Sequence, residues 1–151
     1  MRLGRRLPLL CVLLLAVAGA ACDEKLADLA GPSPNLTPTF ASVQREIFSA
    51  QDSSGRLACT QCHIAGGQAA GTGLILTADV AYANLVGRAS RQQPTSTLVV
   101  PGDAENSYLV KKLEGAPTIT GLRMPRNTGP FLTPGQMTIL RRWIAEGAAN
   151  N

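Results

Sequence analysis

The sequence predicts a mainly α domain of about four helices. Three observations carry that expectation. Four segments place apolar residues three and four apart between recognisable cap and stop residues, the connections between them are rich in Gly and Pro, and no run alternates strongly enough to form a sheet. The first segment spans Phe40 to Ala50, with Thr39 as N-cap and with Phe40, Val43 and Ile47 on one face that Phe48 widens. A second, short segment, Ala78 to Val86, follows Thr77 as its expected cap and stops at Gly87. The third, Ala104 to Glu114, comes after the turn Pro101-Gly102-Asp103, with Asp103 as cap, Leu109 and Leu113 four apart, and Gly115 at the stop. The last has the clearest start: Thr133 as cap, Pro134 at the first helical position and Gln136 three residues after the cap make a capping box. Met137, Leu140 and Ile144 form its face with Trp143 alongside, and Gly147 ends it. Gly66 to Gly73 and Ala116 to Pro130 read as loops, and no internal repeat is present.

Ahead of this domain, residues 1–21 read as a processing signal. Arg2, Arg5 and Arg6 precede an uncharged, mostly apolar run from Leu7 to Ala21. At 15 residues, the run is shorter than the ~20 apolar residues of a membrane-spanning helix and fits a secretory signal peptide. Its end, Gly19-Ala20-Ala21 before Cys22, resembles a bacterial lipoprotein signal, in which Cys22 becomes the lipidated first residue of the mature chain. Gly19 stands where that pattern usually has Leu, and ordinary cleavage at the same small residues, leaving Cys22 a free thiol, is the alternative. The lipoprotein resemblance implies an exported protein on the periplasmic side of the membrane, anchored through Cys22. Residues 22–38, with Pro32, Pro34 and Pro38 and few large apolar groups, read as a tether. At ~3.1 Å per residue it reaches as much as ~50 Å from the bilayer. Residues 39–151 make the single folded domain.

Charge excludes one class of partner. The signal holds three of the 14 Lys and Arg residues and none of the 10 Asp and Glu, so the mature chain carries a net charge of about +1. The basic balance belongs to the discarded segment, and a nucleic-acid partner is not expected. Aromatic bulk in the domain is limited to Phe40, Phe48, Phe131, Tyr82, Tyr108 and Trp143. So thin a core gains from a large buried cofactor.

Cysteine usage is restrictive. Cys11 lies in the signal and Cys22 at its end, leaving Cys59 and Cys62 in the domain, followed directly by His63, the only histidine. Two thiols at this spacing occur in four chemical settings. Zinc needs four ligands, and His63 adjoins Cys62 too closely to share a tetrahedral ion comfortably. A dithiol redox site belongs at a helix start in a βαβ framework, of which the chain has no pattern. A local disulfide, or two buried thiols beside a surface histidine, is the third. The fourth is covalent haem: Cys-Thr-Gln-Cys-His matches the c-type attachment motif Cys-x-x-Cys-His. Thioethers to two vinyl groups need sulfurs one short turn apart, and the following imidazole then faces the iron. An exported chain with helices on either side favours this fourth reading.

A sixth ligand to such an iron is sought by elimination. No second histidine exists, and the mature methionines are Met124 and Met137. Met137 lies on the apolar face of the last helix, where core packing is the ordinary role. Met124 sits in the loop Gly121-Leu122-Arg123-Met124-Pro125, and Pro125 favours an extended backbone that presents the side chain to a cofactor. Met124 is the expected distal ligand, with a gap-filling core methionine as the alternative. Arg123, Arg126, Lys111 and Lys112 are candidates for haem propionates or partner guidance, against a solvated surface role. Tyr108 and Trp143 are candidate propionate donors, against core packing with a wet polar end.

Across about Phe40 to Ala148 the domain resembles mono-haem, class I type bacterial cytochromes c. The resemblance is carried by Val99-Val100-Pro101-Gly102-Asp103 running through Ser107-Tyr108-Leu109-Val110-Lys111-Lys112-Leu113-Glu114-Gly115, then Arg123-Met124-Pro125, then Leu132-Thr133-Pro134-Gly135-Gln136 through Arg142-Trp143-Ile144-Ala145-Glu146-Gly147-Ala148. It implies helices wrapped around one covalently bound haem c, with Cys59 and Cys62 as attachment sites, His63 as proximal ligand and Met124 as distal ligand. It also implies first and last helices packed across each other, with Phe48 and Trp143 as candidates for the crossing, against a role as unrelated core aromatics.

His/Met ligation fills both axial positions, so the expected function is single-electron transfer between extracytoplasmic redox proteins at relatively high potential, with no catalytic residue. Two other classes stay open. One is haem-based catalysis or gas and redox sensing at an open iron, if Met124 is unbound; the other is a haem-free binding module with a Cys59–Cys62 disulfide.

Overall fold

A computed structural model describes residues 37–126 and 129–151. The expected signal peptide, Cys22 and nearly all of the tether lie outside the described residues. Helix α1 covers Phe40–Val43 and continues as a π-helical turn, Gln44–Phe48. α2 is Ala81–Leu85, α3 is Tyr108–Glu114 and α4 is Pro134–Ala145. Two 3-10 turns, Cys59–Gln61 and Ala70–Thr72, fall between α1 and α2. Among the described residues there are isolated bridges, such as Val86 with Val99, but no strand. The α class expected from the sequence is the class observed.

Local chemistry explains the ends. Thr39 Oγ1 accepts the Ser42 amide at 3.1 Å, as an N-cap should. The helix then widens, because the Ser49 amide donates to Gln44 O, five residues back, at 2.9 Å. It closes at Phe48, short of the expected Ala50. α2 starts at Ala81 instead of Ala78: Thr77 contributes its carbonyl, to the amides of Val80 and Ala81, and no side-chain cap. α3 starts at Tyr108 instead of Ala104, because Asp103 is occupied by a turn. Its Oδ1 accepts the Asn106 amide, and the Ser107 hydroxyl donates to Asp103 O while accepting the Val100 amide. Gly115 stops α3 in the left-handed region at φ 74°, as expected. The capping box of α4 is complete: Thr133 Oγ1 accepts the Gln136 amide at 3.2 Å, and Gln136 Oε1 accepts the Thr133 amide at 3.0 Å.

α4 is the central element, touching both α1 and α3. Ile139, Leu140, Trp143 and Ile144 are buried, whereas Met137 is only half-buried at the edge of the core. The ring that meets Trp143 is Phe40, with centroids 5.4 Å apart, and Phe40 in turn meets Tyr82 edge-on at 5.2 Å. Such pairs contribute about 0.5–1.5 kcal/mol each beyond area burial. Phe48 is buried in the same core, but the aromatic pairing at the α1–α4 contact belongs to Phe40. The C-terminal Asn151 closes this end: its carbonyl oxygen accepts the Ala41 amide and its Oδ1 accepts the Phe40 amide.

Thr133→Ala removes one half of the α4 capping box and is expected to cost about 1 kcal/mol of stability. Urea unfolding should show a lower midpoint with an unchanged slope; an unmoved midpoint would mean that the box adds nothing to the fold.

Candidate functional site

Cys59 opens a 3-10 turn that Cys62 closes, and the amides of Cys62 and His63 both donate to Cys59 O, at 3.2 and 2.9 Å. The turn packs against the π-helical end of α1, where Cys59 Sγ lies 3.6 Å from Ile47 O. Both cysteines are free thiols, not a disulfide. Burial pushes the Cys59 thiol above its ordinary range, with the nearby Arg56 guanidinium pulling the other way.

His63 is half-buried and anchored twice to the segment after the second 3-10 turn. Its carbonyl accepts the Leu76 amide at 2.8 Å, and its ring Nδ1 lies 3.0 Å from Leu74 O. A carbonyl oxygen only accepts, so Nδ1 carries the proton and Nε2 keeps its lone pair. Burial pushes the imidazole below its ordinary range and so favours the neutral ring that a metal requires, with the hydrogen bond to the Leu74 carbonyl pulling partly the other way. Leu74 is itself held in place: its amide donates to Thr72 Oγ1, and that hydroxyl donates to Ala69 O. Gly73 before it has φ 65°, and a Cβ there would overlap the Arg91 guanidinium. The left-handed backbone is what favours glycine here, since the exposed Arg91 side chain can move aside. Gln44, in the π-helical turn, donates to Leu76 O at 2.9 Å and ties this segment to the first helix.

A buried ion pair backs the motif. Arg56, three residues before Cys59, is fully buried: its Nε donates to Asp52 Oδ2 at 3.0 Å, and its other nitrogens donate to the carbonyls of Leu57 and Ala50. Asp52 also accepts the Ser54 hydroxyl, the Ser54 and Arg56 amides and Gln136 Nε2. Burial alone would raise the Asp52 carboxyl, but the Ser54 hydroxyl, the Arg56 amide and the Arg56 guanidinium hold it below its ordinary range. Sequence reasoning misses the pair, although Asp52 and Arg56 stand at the i, i+4 spacing on which it rests.

Met124 is half-buried against the main core, as is Cys59. The Met124–Pro125 peptide is cis. The Met124 amide donates to Lys112 O at 3.0 Å. Lys112 is 7% exposed, so it is no solvated surface charge; its Nζ donates to Thr120 O and Leu122 O at 2.8 and 2.9 Å. Burial pulls its ammonium below its ordinary range. Arg123 Nε donates to Leu113 O at 2.7 Å, and its guanidinium stacks over Phe131. Tyr108 Oη accepts the Thr120 amide and Trp143 Nε1 donates to Ala149 O, so both polar ends are engaged within the protein. The signal for Lys112 is its place between Tyr108 and Leu113 on the apolar stripe of α3.

No family model, curated protein or solved structure matches this chain. Among the described residues no three His, Cys, Asp or Glu side chains gather as a metal-ion cage would need. Cys59, Cys62 and His63 instead offer two free thiols a short turn apart and one imidazole edge, a set that fits covalent haem with one proximal nitrogen.

Asp52→Ala strands the buried Arg56 charge, and losing one partner of such a pair costs roughly 3–5 kcal/mol. Because the folded Asp52 carboxyl is depressed, its stabilisation is complete above the unfolded value of about 3.9 and disappears as pH falls through the lower folded value. Urea unfolding between pH 7 and pH 2 should show this acid limb in the native sequence and lack it in the variant; identical pH profiles would dismiss the pair.

Proposed function

We propose that this chain is an exported electron carrier holding one haem c, attached through Cys59 and Cys62, with His63 and Met124 as axial ligands. The observation that carries the reading is the pairing of two free thiols in one turn with an imidazole whose Nδ1 is already committed to Leu74 O. Haem bound there supplies a centre that takes up and releases a single electron. The protein's part is to hold and orient. Cys59 and Cys62 tie the group to a turn backed by the buried Arg56, and His63 offers Nε2 in a fixed ring plane. Met124, on a loop fastened to α3, supplies a thioether from a different part of the chain. With both His63 and Met124 holding it, the iron would offer no open position to a small molecule, which favours electron transfer over catalysis or sensing. Half-burial of the ligands and a thioether donor both favour the reduced state, hence a relatively high potential. A lipid on Cys22 and the tether of residues 22–38 would hold the domain at the membrane within reach of its donor and acceptor redox proteins.

Expressed with a cytochrome maturation system, the protein should stain for haem after denaturing electrophoresis and give a low-spin c-type spectrum. Its weak sulfur-to-iron charge-transfer band should vanish in Met124→Ala. A high-spin spectrum indifferent to that substitution would move the argument to an open iron, and absence of haem staining would leave a haem-free module.

Cys22→Ser should move the protein from the membrane fraction to the soluble periplasmic fraction and remove acyl label. Native protein recovered soluble and unacylated would end the anchoring proposal.

A further inference from the structure

The loop that carries Met124 is fastened to one face of α3 by groups that nothing in the chemistry of attachment requires. Tyr108 and Lys112 are one helical turn apart on that face, and both are buried, at 1% and 7% exposure. Tyr108 Oη accepts the Thr120 amide at 3.0 Å. The Lys112 ammonium donates to the carbonyls on either side of Gly121, at Thr120 and Leu122. The Lys112 carbonyl accepts the Met124 amide. One residue thus grips the loop with its side chain at 120–122 and with its backbone at 124. A buried ammonium is costly to desolvate, and a lysine that only stabilised the helix would keep its charge in water. Gly121 has φ 76°, and its bare backbone lets the two neighbouring carbonyls turn toward the same Nζ.

We propose that Lys112, assisted by Tyr108, is a positioning residue that fixes the Met124 thioether as the distal ligand. This rests on the His63/Met124 reading above. The clamp restricts the loop before the ligand bond forms, so the bond need not overcome the entropy of ordering the loop alone. Charge-assisted hydrogen bonds to two carbonyls make Lys112 the main contributor, and the neutral bond to Tyr108 the smaller one.

The test uses the matured holoprotein and compares the native sequence with Lys112→Met, Tyr108→Phe and Met124→Ala. The charge-transfer band reports the sulfur–iron bond, and far-ultraviolet circular dichroism reports the fold, both followed through a guanidinium titration. In Lys112→Met the band should disappear well before the fold, with the Met-unbound fraction raised roughly tenfold or more at a given denaturant concentration. Tyr108→Phe should separate the two transitions in the same direction by less. Should Lys112→Met not accumulate as haem protein, Tyr108→Phe carries the comparison. Band and fold separating no further in the variants than in the native protein would overturn the clamp and leave the ligand reading intact. A native protein without the band, or a band that survives Met124→Ala, would overturn the ligand reading and the clamp with it.

Discussion

One hydrogen bond, between His63 Nδ1 and the carbonyl oxygen of Leu74, decides what the only imidazole in this chain is able to do. A free imidazole exchanges its proton between two nitrogens and turns about its bonds. Bonded to a carbonyl through Nδ1, it keeps one tautomer and one plane, with Nε2 left as an acceptor. Much of the surrounding structure serves to put that carbonyl in place. The 3-10 turn of Ala70–Thr72, the left-handed Gly73 under Arg91, the Thr72 hydroxyl beneath the Leu74 amide and the Gln44 amide on Leu76 all fix the segment that receives His63. The π-helical turn in the first helix belongs to the same set, since Gln44 opens it and Ile47, within it, faces Cys59.

The second constraint is electrostatic. Arg56 and Asp52 are an ion pair taken out of water, with side-chain exposures of 0% and 8%. Such a pair is stable only when the remaining donors and acceptors are matched, since the desolvation of both charges has to be offset. Here the match spans the domain. Arg56 braces the chain ahead of the cysteine turn, at Ala50 and Leu57, while Asp52 takes a donor from Gln136, whose other amide atom closes the capping box of α4. The start of the last helix and the approach to the cysteines are thereby parts of one polar network.

What is legible in the sequence is local chemistry. The caps at Thr39 and Thr133, the stop at Gly115, the Cys59-Cys62-His63 turn and the place of Met124 in a loop all depend on residues within a few positions of one another. The misplaced helix starts depend on competition: Asp103 and Ser107 both suit a cap, and the turn at Asp103 is decided by the Val100 amide, which needs the Ser107 hydroxyl. The Leu74 carbonyl is invisible in a sequence because every residue has one. Lys112 resembles surface charge because lysines usually are; its burial depends on loop carbonyls eight and ten residues away. The family resemblance offers Phe48 as the candidate partner of Trp143, and the side-chain geometry selects Phe40.

The two halves of the candidate site are therefore held by unlike means. The cysteines and His63 are adjacent in the chain, so forming their turn closes almost no loop and costs little entropy. Met124 arrives from the far side of α2 and α3, and its position relative to His63 is a tertiary property. The element that links them is α4, which touches α1, against whose π-helical end the cysteine turn packs, and α3, to which the Met124 loop is hydrogen-bonded. Damage to α4 would shift one half against the other, whereas damage to the α3 face would release Met124 and leave the attachment half in place. The proposed electron carrier would gain from that division: a haem attached through Cys59 and Cys62 would stay on the chain whatever Met124 does, and Met124 would be set by contacts independent of attachment.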